Sequence, residues 1–189
     1  MSFEQCRSIH SLMSGYDKPW FIAGGWAIDL FIGKETREHT DIEFAVFRKD
    51  QLYLKDYLKE WKFKKVINGE FYTWENEFLE LPIHEIHALH LRNRDKIEIL
   101  LNETSENDWV FRRDLRISYP LKSIRSFTVT GIPYLNPEIV LLYKAKNPRE
   151  KDDQDFFAIK DDLEEEKKKW LLHALEIYEP EHKWIEFLI

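Results

Sequence analysis

The sequence predicts an α+β fold, with a mixed β-sheet and flanking helices over residues 1–130 and a C-terminal helical subdomain over residues 131–189. Three observations carry this expectation. Segments whose apolar and polar residues alternate by twos, chiefly 41–47 and 95–103, are interleaved with segments of helical period. An apolar segment ends in two adjacent glycines, Gly24 and Gly25, directly before a helical one. From about Asn136 onward only helical periodicity remains.

Taken in order, residues 3–13 read as an amphipathic helix with Phe3, Ile9, Leu12 and Met13 facing a core, ended by Gly15 and Pro19. "WFIAGG" is a short strand running into the glycines, and "WAIDLFIG" gives two helical turns that stop at Gly33 in a left-handed cap. In 41–47, Ile42, Phe44 and Val46 point inward while Asp41 and Glu43 project from the other face. "KDQLYLKDYLKEW" is expected to be a helix with Leu52, Leu58 and Trp61 inside. "FKKVI" and "EFYTW" form a hairpin about Asn68 and Gly69, and "DKIEILLNE" is a strand that places Glu98 between Ile97 and Ile99. Asn136 and Pro137 are an N-cap followed by a proline at the first helical position, opening "PEIVLLYKAK". Beyond Pro148, "EKDDQDFFAI", "LEEEKKKWLLHALEIY" and "HKWIEFLI" read as three more helices, and "EEEKKK" is a solvated helix face.

The chain has 189 residues, suited to one large domain or two small ones, and its 43% hydrophobic and 15% aromatic content can fill a core. A net charge of -7 and a pI near 5.6 disfavour extended nucleic-acid contact and suit a cationic small molecule better. The first residues lack the basic and apolar regions of a signal peptide, and no apolar run is long enough to span a bilayer, so a cytoplasmic protein is expected. The single Cys6 excludes an internal disulfide framework and a multi-cysteine zinc site.

Two carboxylates on one strand face repel unless a cation lies between them. Magnesium, which prefers carboxylate, phosphate and water oxygens, is the ordinary choice. Glu98 can add a third carboxylate from a neighbouring strand, and three can hold two ions roughly 3.5–4 Å apart for in-line phosphoryl displacement. On their own the acids fit a solvent-exposed strand face better than a metal site. Gly24 and Gly25 change that balance, since a glycine pair between strand and helix lets backbone N–H groups approach a phosphate.

These residues bring a family into view. "GGWAID" followed by "TREHTDIE" resembles the nucleotidyltransferase superfamily that includes DNA polymerase beta. It is most similar to the small antibiotic nucleotidyltransferases, the aminoglycoside 2″- and lincosamide nucleotidyltransferases. Gly24, Gly25, Trp26, Asp29, Thr36, Arg37, His39, Asp41 and Glu43 match the pattern without gaps, and "PEIVLLYKAKNPREKDDQDF" resembles a later helical segment. Residues 48–125 match in outline only.

The resemblance implies a nucleotidyltransferase core that transfers a nucleoside monophosphate, AMP from ATP, to a hydroxyl of a small molecule such as an aminoglycoside-like antibiotic. Asp41, Glu43 and Glu98 would hold two Mg2+ ions, with Glu98 as general base. Gly24, Gly25, Arg37 and His39 would lie near the triphosphate, and Lys144 or Lys146 would face it from the opposite wall, steadied by Asp152 and Asp155. Trp26 and Asp29 are read as structural. Relatives often carry Asp at the second and third acids, where this chain has Glu, moving each carboxylate outward by about 1.3 Å. Two alternatives stand beside this reading: a nucleotide-binding protein without turnover, and a toxin-like transferase acting on a macromolecule. His84, His87 and His90 form H-x-x-H-x-x-H, which lacks a zinc-site frame, and no metal is expected there.

Overall fold

The computed structural model describes residues 3–189. Its elements are α1 (Glu4–Leu12), β1 (Trp20–Ile22), α2 (Gly24–Ile32), β2 (Glu43–Phe47), α3 (Gln51–Tyr57), β3 (Trp61–Ile67), β4 (Glu70–Thr73), β5 (Glu85–His90), β6 (Lys96–Ser105), β7 (Asp108–Val110), β8 (Ser118–Pro120), β9 (Arg125–Phe127), β10 (Pro133–Leu135), α4 (Pro137–Lys144), α5 (Glu150–Ile159) and α6 (Glu165–Tyr178). A single 3-10 turn, Ile185–Phe187, stands where the sequence suggested a terminal helix.

The sheet is mixed, in the order β4-β3-β5-β6-β2-β1-β10-β9, with β7 and β8 continuing from β6. β2 runs parallel to β6 and antiparallel to β1, while β10 runs parallel to β1. The two alternating segments picked out in the sequence are thus neighbours. Their alternation sorts the faces: Phe44, Val46, Ile97, Ile99 and Leu101 enter the core, and Glu43 and Glu98 emerge together on the other side. The sheet also extends beyond residue 131, where the helical part was expected to begin, because residues 133–135 pair with both β1 and β9.

Several local expectations hold. Gly33 closes α2 at φ +83°, its N–H bonded to the Asp29 carbonyl at 2.8 Å. Asn68 (φ +51°) and Gly69 (φ +83°) turn the β3–β4 hairpin with both central residues left-handed, as a two-residue turn of this hand requires. Others do not. α3 ends at Tyr57 and Trp61 starts β3; Leu58 is buried as expected but Leu52 is exposed, because Leu54 and not Leu52 shares the face of Leu58. Asn136 stands at the N-cap of α4 but does not cap it. Its side chain donates to the Ser123 carbonyl and accepts from Ser126 Oγ, both at 2.8 Å, fixing the β9–β10 region instead. The C-terminal helices close over the sheet, with Trp184 stacked on Phe156 at 4.5 Å. Among the described residues, no helix is long and apolar enough to cross a membrane.

Candidate active site

In the parallel pair β2–β6, Glu43 and Glu98 are direct register partners, so their side chains leave the sheet side by side. Asp41 lies in the bend before β2, exposed, with its carboxylate accepting from Thr40 Oγ1 at 2.7 Å; its carbonyl accepts from Trp26 Nε1 at 3.1 Å. Asp41 is therefore outside the strand in which it was expected.

Gly24 is required on two counts. Its φ is +60°, and a Cβ there would come within 1.6 Å of Glu43 Oε2. The missing side chain makes room for the Glu43 carboxylate. Gly25 serves the other side of α2: a Cβ would lie 2.0 Å from an Arg37 guanidinium nitrogen and 2.7 Å from His39 Cε1. Arg37 reaches past it to form two hydrogen bonds with Asp155 on α5, both at 3.0 Å. His39 stacks on Trp26 at 4.2 Å and meets Asp29 through Nε2 at 2.7 Å. Asp29 also accepts from the Thr36 N–H at 3.1 Å and from its hydroxyl at 2.5 Å. Arg37 and His39 thus sit behind α2 and do not line the cleft described next, contrary to the expected contact with a triphosphate. Each is drawn to a buried carboxylate, Arg37 to Asp155 and His39 to Asp29.

A cavity of about 310 Å³ opens on the far side of α2, between the sheet and the C-terminal helices. Its lining includes Gly24 and Glu43, from the start of α2 and of β2, and Lys144, Lys146 and Arg149, from the end of α4 and the connection to α5. Lys144 is not free: Nζ is 2.7 Å from Asp152 and 2.9 Å from Asp155. Asp155 thereby joins Arg37 to Lys144, tying the "TREHTDIE" loop to α4 and α5. Lys144 and Lys151 stand on different helices, since the chain leaves α4 at Lys144 and restarts α5 at Glu150.

The acids lack enough positive charge nearby. Burial foremost, then Glu85 and Asp41, push Glu43 above the ordinary carboxylate range, while Lys144 pulls it back. Burial pushes Glu98 up to about 7, with Glu43 and Asp41 adding to the rise and His87 opposing it. Hard oxygen donors crowded until their ionisation is penalised form a donor set that suits a divalent cation. Among the described residues, the acids and histidines whose ligand atoms lie within 4.8 Å of one another are Glu85, His87 and Glu98, so Asp41 and Glu43 do not close on Glu98 as the sequence reading expected. His87 is opposite Glu98 in the β5–β6 register, with Nδ1 3.6 Å from its carboxylate and Nε2 2.7 Å from Glu85. The run containing His87 forms a strand, and what the sequence missed was that its period-2 face meets Glu98.

The profile of the aminoglycoside-2''-adenylyltransferase family matches residues 5–159. The chain belongs to this family. As an aminoglycoside-2''-adenylyltransferase family member it is a nucleotidyltransferase. No curated protein matches it. Among solved structures, it is similar to the lincomycin-bound lincosamide antibiotic adenylyltransferase LnuA, with a TM-score of 0.58 and 17% identity over 85% of this chain and 97% of that one. It is also similar to ANT(2")-Ia in complex with adenylyl-2"-tobramycin, with a TM-score of 0.62 and 13% identity over 92% of this chain and 98% of that one. At these identities the two structures establish the shared fold of this family member.

Proposed function

We propose that the chain transfers AMP from ATP to a hydroxyl of a small molecule, in a reaction that depends on Mg2+ and releases pyrophosphate. The observation that carries this reading is the register pairing of Glu43 with Glu98 beside Gly24, at the mouth of a cleft that cationic side chains also line. Asp41, Glu43 and Glu98 would hold two Mg2+ ions. When bound, the metal supplies charge neutralisation at the reacting phosphate and acidifies the acceptor hydroxyl.

The residues of the chain do the rest. The N–H groups at the start of α2, beside Gly24, point to where an anion would lie, and Lys146 and Arg149 extend the positive wall. Lys144, held by Asp152 and Asp155, offers a fixed charge to the triphosphate. Glu98 would receive the proton of the attacking hydroxyl. The acceptor oxygen bonds to the α-phosphorus as the bond to the bridging oxygen of pyrophosphate breaks.

The family name and the antibiotics in the similar structures support a small hydroxylated acceptor, and aminoglycosides are the class to test first. Pyrophosphate release from ATP and from the other triphosphates, with Mg2+ or EDTA and a panel of hydroxylated acceptors, tests the proposal. Acceptor-dependent release that EDTA abolishes is expected. Mg2+-triphosphate binding without release for any acceptor favours the reading without turnover.

A further inference from the structure

We propose that Glu98 holds its divalent cation together with His87, and that the imidazole nitrogen makes this one position prefer a first-row transition ion of the zinc or cobalt kind to Mg2+. The inference rests on the two-ion reading above and specifies which metal one of the two positions selects.

Three adjacent strands place His87, Glu98 and Glu43 in one row. His87 on β5 is the register partner of Glu98 on β6, and Glu98 is the partner of Glu43 on β2. Neighbouring strands lie about 4.8 Å apart, so side chains in one row can share a ligand. Lys64, next in the row on β3, is exposed to solvent. Glu85, two residues before His87, emerges on the same face, and ligand atoms of Glu85, His87 and Glu98 all lie within 4.8 Å of one another.

The imidazole is already oriented as a ligand. Its Nε2 lies 2.7 Å from Glu85 Oε1, so that carboxylate holds the proton of the neutral ring. Nδ1 then carries the lone pair, and it faces Glu98 Oε1 at 3.6 Å. That is beyond hydrogen-bond range, and it sets two acceptors face to face with no proton between them. Two bonds of about 2.1 Å to one cation would set their ends roughly 3.0–3.4 Å apart, close to this separation. A carboxylate on the far nitrogen is the arrangement that fixes the tautomer and raises the basicity of a metal-bound histidine. The Phe71 ring meets the imidazole edge-on at 4.8 Å and limits its rotation further. The other two histidines of the run are engaged elsewhere, His84 Nδ1 at 2.8 Å from the Pro82 carbonyl and His90 Nε2 at 3.5 Å from Glu60.

Charge favours a cation at this point as well. Glu43, Asp41 and Glu85 all bear on Glu98, against the single imidazole. Magnesium takes oxygen donors and keeps its waters, whereas imidazole suits ions later in the first row, which bind nitrogen more tightly. Asp41 and Glu43 offer oxygens alone, so the position they hold stays with Mg2+.

The test uses the full chain with α,β-methylene-ATP, and Co2+ as the spectroscopic probe for this class of ion. Proton NMR of the Co2+ complex should show a strongly shifted, solvent-exchangeable ring N–H from a metal-bound histidine, and His87→Gln should lack it. In competition titrations, selectivity for Zn2+ over Mg2+ should fall at least about tenfold in His87→Gln. His87→Asp, which offers an oxygen in the same place, should still bind Co2+, lack the shifted N–H and move selectivity toward Mg2+; it also controls for folding. A Co2+ complex without the shifted N–H, the same signal in His87→Gln, or unchanged Zn2+ selectivity in that variant overturns the inference and leaves the two-ion reading standing. Failure of the wild type to bind the nucleotide with any divalent ion removes the two-ion reading itself, and this inference with it.

Discussion

Glu43 and Glu98 are direct partners across the parallel strands β2 and β6, and the carboxylate of Glu43 fills the space where a side chain on residue 24 would stand. A glycine, a metal-binding acid and a candidate base are thereby bound into one geometric unit, with consequences for stability, pH response and turnover.

Gly24→Ala should destabilise the fold by about 2 kcal/mol or more, through both its positive φ and its overlap with Glu43. Shortening Glu43 removes the overlap but not the φ strain. In a Glu43→Ala background the same substitution should therefore cost measurably less, and urea denaturation of the four proteins gives the coupling. Additive effects would mean that Glu43 does not occupy the space beside residue 24.

Asp155→Asn should cost about 3–5 kcal/mol, because it leaves Arg37 and Lys144 facing each other with one less buried counter-charge. Thermal unfolding measures this. A loss under about 1 kcal/mol would place both cations in contact with water.

The pH dependence follows from Glu98. Its folded pKa of about 7 lies above the unfolded value, so the folded state holds the extra proton. That contribution is fully present below the unfolded pKa near 4.3 and is lost as pH rises through 7. Without metal, stability should fall between pH 5 and 8 by about 2 kcal/mol, or roughly 4–8 °C in Tm. Glu98→Gln should flatten this profile, and scanning calorimetry of both proteins across that range decides the matter.

The sequence showed the sheet where period-2 alternation was clean, as in the segment that became β6, and the helices where caps and prolines marked them, as at Pro137. It did not show β5, because the histidines there were read by their three-residue spacing, and Glu85 and His87 meet Glu98 on one face only once β6 lies beside them. The acid pair and Gly24 were legible as a local motif. The use of Arg37 was not, since its partner Asp155 is 118 residues away and only the folded chain brings them together.

Calorimetric titration of α,β-methylene-ATP with and without Mg2+, paired with pyrophosphate release by the wild type, Asp41→Asn and Glu43→Gln, tests the central claim most directly. Each substitution keeps the shape and removes a charge that a dication needs. The account predicts Mg2+-dependent binding in the wild type, weakened in both variants, with turnover reduced by at least about 10²-fold. Binding and turnover equal to the wild type in both variants would contradict it, leaving Asp41 and Glu43 as exposed acids at a strand end.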